Sequence, residues 1–324
     1  MGLPHSFALG AVLLSALSAP AAKAESAYPS KPVRIVVPYA AGGSVDPIAR
    51  LVADRLSRTL GQSVFVENRP GAGGNIGIEA VVRGPHDGYT LLATPSAIAV
   101  NPSVYSKVPY SLDKDLTPIT LVNRNAMIVL VSPKSGINSL ADLIARVKEK
   151  PGALNYAIAG NGTLDHLVCE HLRASAGLDM VRINYGGVPK GITALMAGEV
   201  QVMVASVVSA SSYVRSGQLK PIAVTSAQRL ALAPEAPTMT ELGYKNFVMY
   251  GWAMLFAPSG VPADIIAKLH EEIKKVVASP DVTKIITDTG SEVQSLTLDQ
   301  LSSYLRQEEA LFAGIAKTSG IRID

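Results

Sequence analysis

The sequence predicts a two-lobed α/β protein in which each lobe is a wound β-sheet flanked by helices. The chain has 324 residues, whereas single hydrophobic cores stop growing at about 250 to 300 residues. Apolar runs of four to six residues alternate with helical patterns over most of the chain, which is typical of wound sheets. The composition, 48 % hydrophobic and 17 % charged, is that of an ordered globular protein.

The first 24 residues have the features of a signal peptide. The apolar run from Phe7 to Ala19 has 13 residues, which is shorter than the roughly 20 that a membrane-spanning helix needs. The segment from Ala22 to Ala24 fits an A-x-A cleavage site, although only His5 and the free amine supply positive charge before the run. We therefore expect residues 1–24 to be removed near Ala24 and the mature chain to be exported.

Ten short apolar runs are the strand candidates. They are bounded by turn residues, as strands in wound sheets are. The ten runs are Arg34–Pro38, Val64–Glu67, Thr90–Thr94, Ile119–Val122, Ile128–Ser132, Leu154–Ala159, Val181–Tyr185, Val200–Val204, Pro221–Thr225 and Gly251–Ala257.

The stretch YAAGGSVDPIAR, residues 39–50, joins the first strand to a helix with one apolar stripe. Asp46 followed by Pro47 predicts the helix start, because Asp accepts from the first free amides and proline lacks the N–H that would be orphaned there. The residues just before have little or no side chain, so a ligand can approach their backbone closely. A helix N-terminus has free N–H groups and about half a positive charge, so it binds anions without a basic side chain.

A second loop of the same kind is NYAIAGNGT, residues 155–163, with Thr163 as the predicted cap of the next helix. Either loop alone would be interpreted as a plain strand-to-helix turn. The two lie about 120 residues apart, which places one in each lobe. Two matched loops that face one cleft predict a site for a carboxylate between the lobes.

Helical patterns near the C-terminus predict how the lobes connect. Apolar residues from Ile265 to Val277 repeat at helical spacing, and another helix is predicted from Leu298 towards Lys317. A segment this long after the second lobe indicates that the chain crosses back and finishes on the first lobe. Two crossings between lobes form a hinge.

Neither glycine-rich segment fits a nucleotide or dinucleotide site, so we expect no cofactor. In GAGGNIG, residues 71–77, Ile76 stands where the pattern G-x-G-x-x-G requires its last glycine. In the pattern that begins at Gly160 in the second loop, Asp165 stands where the last glycine is required. We interpret GAGGNIG as a glycine-rich turn with Asn75 capping a helix.

No catalytic or metal-binding constellation is evident. His166 and His171 are five residues apart and do not share a helix face, which makes them a poor metal pair. Glu170 does share a face with His166, and we interpret that pair as a contact on a solvated surface. Cys169, the one cysteine, is interpreted as a small core residue.

The charge excludes nucleic acid as a partner. The formal net charge is +3, with 29 basic and 26 acidic residues. These residues are spread along the chain without a basic cluster or interleaved aromatic residues, which nucleic-acid-binding surfaces need.

Several motifs resemble those of the Bug-type receptors, the solute-binding proteins of tripartite tricarboxylate transporters. The pattern P-[FY]-x-x-G-G-x-x-D-x-x-A-R matches residues 38–50, and VENRPGAGGNIG stands at residues 66–77. PHDGYTLL, NPSVY, PGALNYAIAGNGTLDHL and LFAPSGVP add to the resemblance, which extends from Tyr28 to the C-terminal SGIRI.

The resemblance implies a periplasmic binding protein of the Venus-flytrap type. Lobe 1 would comprise residues 25–124 and 247–324, and lobe 2 residues 125–246. We expect a monomer that binds a small organic carboxylate, with membrane transporter subunits as further partners. The alternative is an exported carboxylate-processing enzyme on the same scaffold, which would need an acid, a base or a nucleophile in the cleft.

The resemblance also implies the site residues. Backbone amides of the two loops would hold the carboxylate, and Thr94 and Ser96 would add contacts. Asp46 and His166 would either touch the ligand or serve as a helix cap and a packing residue. The candidate ligand-binding residues are Tyr39, Ala40, Ala41, Gly42, Gly43, Ser44, Asp46, Thr94, Ser96, Ala159, Gly160, Asn161, Gly162, Thr163, His166 and Ser206.

One departure from the family pattern bears on the ligand. Where the family often reads V-D-x-M-F-D-N, this chain has VQVMVAS, with Gln201 and Ala205 at the acidic positions and Ser206 at the amide position. An ammonium group left unpaired in a closed cleft is strongly unfavourable. We therefore predict an organic acid without an amino group.

Overall fold

The structure, a computed structural model, describes residues 28–245 and 247–323, together with residue 2. Apart from residue 2, the predicted signal peptide and its cleavage site near Ala24 lie outside the described residues. Within the described ranges, no helix combines the length and the apolarity that a membrane span requires.

In the described part of the chain, nine strands alternate with eleven α-helices over most of the length. The strands are β1 (Val33–Val37), β2 (Val64–Asn68), β3 (Thr90–Pro95), β4 (Leu116–Val131), β5 (Asn155–Ile158), β6 (Val181–Asn184), β7 (Val202–Ser206), β8 (Lys220–Val224) and β9 (Tyr250–Pro258). The helices are α1 (Asp46–Leu60), α2 (Asn75–Val82), α3 (Ala97–Val104), α4 (Leu112–Asp115), α5 (Leu140–Glu149), α6 (Leu164–Ala176), α7 (Val188–Ala197), α8 (Val207–Arg215), α9 (Ala263–Ala278), α10 (Pro280–Asp288) and α11 (Leu298–Ser319).

The strands form one sheet in the order β2-β1-β3-β9-β4-β7-β5-β6, and β8 pairs with β4 beside this path. β1 runs parallel to β2 and β3 at one end, and β5 runs parallel to β6 and β7 at the other. Between these groups, β9 and β4 are antiparallel to their neighbours. Helices connect the parallel strands of each group, which confirms the predicted α/β class with wound sheets.

Strand β4 is one strand of 16 residues where the sequence analysis predicted two, Ile119–Val122 and Ile128–Ser132. It pairs with β9 as far as Ala126 and with β7 from Met127 onward, so it carries the chain from the first parallel group to the second. This change of partner falls close to the predicted lobe boundary between residues 124 and 125. The division into residues 25–124 plus 247–324 and residues 125–246 stays a prediction.

The C-terminal helix α11 closes the fold. It begins with a capping box, in which the amide of Gln300 donates to the Thr297 hydroxyl at 3.3 Å and the Thr297 amide donates to the Gln300 side chain at 2.9 Å. Its buried face contacts both α3 and α6 and places Phe312 in the largest apolar cluster. The amide of Ile323 then donates to the carbonyl of Val104 at 2.6 Å. The tail therefore ties elements from both ends of the sheet together.

Candidate ligand-binding site

The first loop, residues 39–44, is held by the carboxylate of Asp46. Gly42 adopts a left-handed φ of 81°, and its amide donates to Asp46 Oδ2 at 3.1 Å. Arg50 Nε donates to the same oxygen at 3.1 Å, and Asn68 Nδ2 donates to Oδ1 at 2.8 Å. Burial alone would raise the pKa of Asp46, but these hydrogen bonds hold the pKa below its usual value. The carboxylate thus fixes the loop that precedes the helix.

The predicted capping role of Asp46 is therefore wrong. The N-cap residue of α1 is Val45, which makes no side-chain cap, while Asp46 is the first helical residue and Pro47 the second. The side chain turns back to the Gly42 amide because Arg50, one turn along, and Asn68, on β2, draw it there. Asn75 is likewise the first residue of α2, after the N-cap Gly74, and not a cap.

The second loop, residues 159–163, repeats the arrangement. Gly162 has a left-handed φ of 75°, and the amide of Ala159 donates to Asp165 Oδ2 at 2.7 Å. Thr163 occupies the N-cap position of α6 as predicted, but its hydroxyl donates to the Gly160 carbonyl at 2.6 Å and does not cap the helix. Burial raises the pKa of Asp165, which lies beneath the loop.

The two loops come together through tyrosine and asparagine side chains. Tyr39 Oη, from the first loop, donates to the Gly73 carbonyl at 3.0 Å, and Asn101 Nδ2, on α3, donates to the same oxygen at 3.0 Å. Tyr105 Oη then donates to the carbonyl of Asn161, in the second loop, at 3.2 Å. Burial raises the pKa of Tyr39 well above its usual value, with smaller contributions from Tyr105 and Asp165. The two predicted loops therefore lie close to each other, and their binding of a ligand stays a prediction.

Asn101 lies between the two loops, a position that the sequence analysis missed. Its side chain is fully buried, and its Nδ2 also donates to Asn75 Oδ1 at 3.1 Å. Its Oδ1 has no hydrogen-bond partner in the described part of the chain and faces the second loop, since a Cβ on Gly162 would lie 2.6 Å from it. A buried acceptor of this kind needs a donor from a ligand or a water molecule. NPSVY carries the residue, but the motif alone gives no sign of its position.

Three predicted site residues stand apart from this arrangement. Thr94 is fully buried, and its hydroxyl donates to the Pro95 carbonyl at 3.4 Å. Ser96 is buried before α3, and the Ser206 hydroxyl accepts from the amide of Ser209 at the start of α8. Among the described residues, no hydrogen bond joins Thr94, Ser96 or Ser206 to either loop. Their contact with a ligand stays a prediction.

The comparison with known proteins identifies the family. Residues 48–320 match the family model described as tripartite tricarboxylate transporter family receptor. The chain belongs to this family. It is similar to the protein BugT of Bordetella pertussis, with 32 % identity over 325 residues that cover 100 % of both chains. The family predicted from the sequence motifs is thereby confirmed.

Solved structures of similar proteins have the same fold. Periplasmic binding protein BugD has a TM-score of 0.84 and 32 % identity, covering 91 % of this chain and 99 % of that one. The structure described as R. palustris Rpa4515 with adipate has a TM-score of 0.86 and 29 % identity, covering 91 % of this chain and 99 % of that one. MatC of Rhodopseudomonas palustris with bound malate has a TM-score of 0.83 and 29 % identity, covering 89 % of this chain and 99 % of that one. The predicted two-lobed binding-protein fold is confirmed, and this receptor belongs to a family of solute-binding proteins.

In this receptor, His166 lies between the second loop and a charge cluster formed by the buried Glu170, the half-buried Arg173 and the exposed Arg182. The imidazole is 1 % exposed, with Nε2 2.6 Å from Arg182 Nη1 and Nδ1 3.4 Å from the Gly162 amide nitrogen. Both neighbours are donors, so both disfavour a second proton on the ring. The predicted solvated contact with Glu170 is wrong, because Glu170 is also buried and receives a hydrogen bond from Arg173 at 2.6 Å. Cys169 is buried, as predicted.

The receptor is expected to lose stability in acid through His166. Burial and then the Arg182 guanidinium lower the pKa of His166 from 6.5 to about 4, against the opposing effect of Glu170. As the pH falls through 6.5, the unfolded chain takes up a proton that the folded chain refuses until about pH 4. We expect the free energy of unfolding to fall by on the order of 3 kcal/mol over this range, as measured by urea unfolding.

Two variants isolate that contribution. His166→Asn removes the titrating ring and should flatten the profile between pH 6.5 and pH 4. His86→Asn, at an exposed position, should keep the wild-type slope. An unchanged slope in His166→Asn would show that other groups cause the acid sensitivity.

Proposed function

We propose that this chain is an exported periplasmic receptor that closes its two lobes on a small organic carboxylate and delivers it to transporter subunits in the membrane. The observation that carries the proposal is the meeting of the two loops at the Gly73 carbonyl, Asn101 and Tyr105. A ligand that touches both loops favours the closed arrangement of the lobes over the open one. The signal-peptide features of residues 1–24 support export.

The chemistry of the loops supports a carboxylate as the ligand. Ala40, Ala41 and Ser44 are exposed, and they precede the N-terminus of α1, where amides favour an anion. The amide of Gly42 is already donated to Asp46, so the neighbouring amides are the ones that would bind the ligand. The similar proteins described with adipate and with malate hold dicarboxylates, which is in keeping with this chemistry.

The acidic groups near the loops favour a ligand without an amino group. Asp46 accepts hydrogen bonds from the Gly42 amide, Arg50 and Asn68. Asp165 is buried and accepts from the Ala159 amide. Both carboxylates already serve the protein, so neither is free to pair with an ammonium group. A buried ammonium without a partner is strongly disfavoured, so the proposed ligand is an aliphatic or aromatic organic acid.

Calorimetric titration of the mature chain tests the proposal. The panel contains adipate and malate, together with two matched pairs, succinate against aspartate and glutarate against glutamate. We expect stoichiometric binding of at least one dicarboxylate and weaker binding of the amino member in each pair. Tighter binding of both amino acids would contradict the choice of ligand class and point to Asp46 as the ammonium partner.

The same samples separate a receptor from an enzyme. After overnight incubation with the tightest ligand, proton NMR should show that ligand chemically unchanged. Consumption of the acid in proportion to time and protein concentration would favour the alternative, an exported carboxylate-processing enzyme. Binding of no member of the panel would contradict the carboxylate proposal itself.

A further inference from the structure

A polar cavity lies where the C-terminal tail meets α6 and the edge strand β6. Its volume is about 420 Å³, which falls within the range of small-molecule sites. Tyr156 and Glu170 form its inner wall, and Gly320 and Arg322 of the tail form another side. No residue of the two glycine loops lines it.

The charges around the cavity are predominantly positive. Arg173, Arg182 and Arg322 bring three guanidinium groups to its wall, and Glu170 brings the one carboxylate among the lining residues. That carboxylate already accepts hydrogen bonds from Arg173 at 2.6 Å and from the hydroxyl of Tyr156. Among the described lining residues, two positive charges therefore remain in excess, beside a space large enough for a ligand.

Several hydrogen-bond donors of these arginines are unused. Arg173 Nε is buried and has no partner among the described residues. Arg182 gives one Nη1 bond to His166 and lies 3.9 Å from Glu170, while Arg322 makes no hydrogen bond or ion pair within residues 28–245 and 247–323. Both arginines are exposed, so their remaining N–H groups are open to solvent and to a ligand. A guanidinium carries five N–H groups in a planar fork that matches carboxylate and phosphate oxygens. Buried donors without partners are rare in folded proteins.

We propose that this cavity binds a small multivalent anion bearing phosphate or carboxylate groups. Arg322 and Arg182 would donate to its oxygens, and the Arg173 guanidinium would add positive charge to the wall. The ligand would balance the charge excess of the described lining residues. Its lining residues differ from those of the two loops proposed to bind the transported solute, and Arg182 contacts His166 beside the second loop.

Calorimetric titration of the mature full-length chain with inorganic phosphate and, separately, with citrate tests the site. We expect saturable binding of at least one anion, weakened about tenfold or more by Arg322→Gln and by Arg182→Gln, since each variant removes a charge-assisted hydrogen bond. The matched control is Lys317→Gln, which removes the same charge from an exposed position on α11 that does not line the cavity. That control should bind like the wild type.

The alternatives give different results. Equal losses in Lys317→Gln and Arg322→Gln would indicate long-range attraction only and would overturn the site. Citrate binding that persists in Arg322→Gln but is lost in Gly162→Ala belongs to the solute loops, which also overturns it. Absence of binding by both anions contradicts the proposal, whatever the solute titrations show. Binding of phosphate alone assigns the site to phosphate groups, and binding of citrate alone, with loss in Arg322→Gln, assigns it to carboxylates.

Discussion

Replacing Gly77 with alanine is expected to lower the free energy of unfolding by about 3 kcal/mol. Gly77 lies in the first turns of α2, where the helix passes over the ends of β1 and β2. A Cβ at this position would lie 2.7 Å from the carbonyl oxygen of Arg69 and 2.7 Å and 2.8 Å from Cβ and Cα of Pro38. Two of these atoms belong to the backbone, so the strand ends themselves would have to move.

Urea unfolding of a matched pair of variants measures the effect. Gly314 is also a helical glycine, in α11, but a Cβ there would meet no atom within 4 Å. Gly314→Ala should therefore stabilise the protein by up to about 1 kcal/mol, because alanine is the better helix former. If Gly77→Ala were as stable as the wild type, the close approach of α2 to Pro38 would be contradicted.

Part of the structure of GAGGNIG, residues 71–77, could be predicted from its sequence, but the close contact of Gly77 could not. The pattern excludes a dinucleotide site from the spacing of its glycines alone, and a glycine-rich turn before a helix was predicted. The turn is observed, as a 3₁₀ turn at Ala72–Gly74 followed by α2. The reason for Gly77 could not be predicted, because its neighbours come from two other strand ends that only the folded sheet brings near.

The elements that local sequence determines were predicted well. Helix α1 starts at Asp46 and α6 at Leu164, as the proline and threonine signals indicate. Both helices are amphipathic, and a buried stripe of apolar residues is visible in a single sequence. Such features depend on neighbours within a few residues of each other, so the sequence carries them directly.

Features that depend on distant partners were not predicted. The sequence predicts two strands where the structure has β4 alone; Asn123 and Asn125 lie between the two predicted runs, yet both are buried and the strand continues beside β9. The sequence predicts that Asp46 caps α1. Its hydrogen bond with Asn68 on β2 could not be predicted, since it depends on how the strand packs beside the helix start. The helical spacing predicts a surface position for Glu170. Its burial could not be predicted, since it depends partly on Tyr156 of the distant strand β5, which donates to its carboxylate together with Arg173.

The site shows the same division between local and distant information. Both glycine loops could be identified from their composition, because bare backbone before a helix has a local signature. That they face one cleft could also be predicted, but the contacts that join them could not, since these depend on Asn101 of α3 reaching Gly73 and on Tyr105, just after α3, reaching Asn161. The loop pattern and the resemblance to the family both predicted the cleft, but the side chains that join the two loops came from the structure.

Replacing Gly162 with alanine is expected to weaken binding of the solute at least about a hundredfold. A Cβ on Gly162 would lie 2.6 Å from Asn101 Oδ1 and 2.6 Å from Cε2 of Tyr105. Asn101 is held by the Gly73 carbonyl and by Asn75, so it cannot yield, and the second loop must withdraw from α3. Withdrawal would cost the ligand the donors of this loop, each contributing on the order of 1.5 to 3 kcal/mol to a charged acceptor. The loss of two such donors corresponds to an affinity weaker by about a hundredfold or more.

The titration uses the dicarboxylate that the wild type binds most tightly, with Gly198→Ala as the matched control. Gly198 has a similar left-handed φ, 86° against 75°, but a Cβ there would meet no atom within 4 Å. Both variants carry the same backbone strain of about 1 kcal/mol or more, so unfolding experiments should show a loss of stability in each. Only Gly162→Ala should lose the ligand, because only there does the added methyl group separate the two loops. Wild-type affinity in a folded Gly162→Ala would show that the solute does not depend on the contact between the second loop and α3.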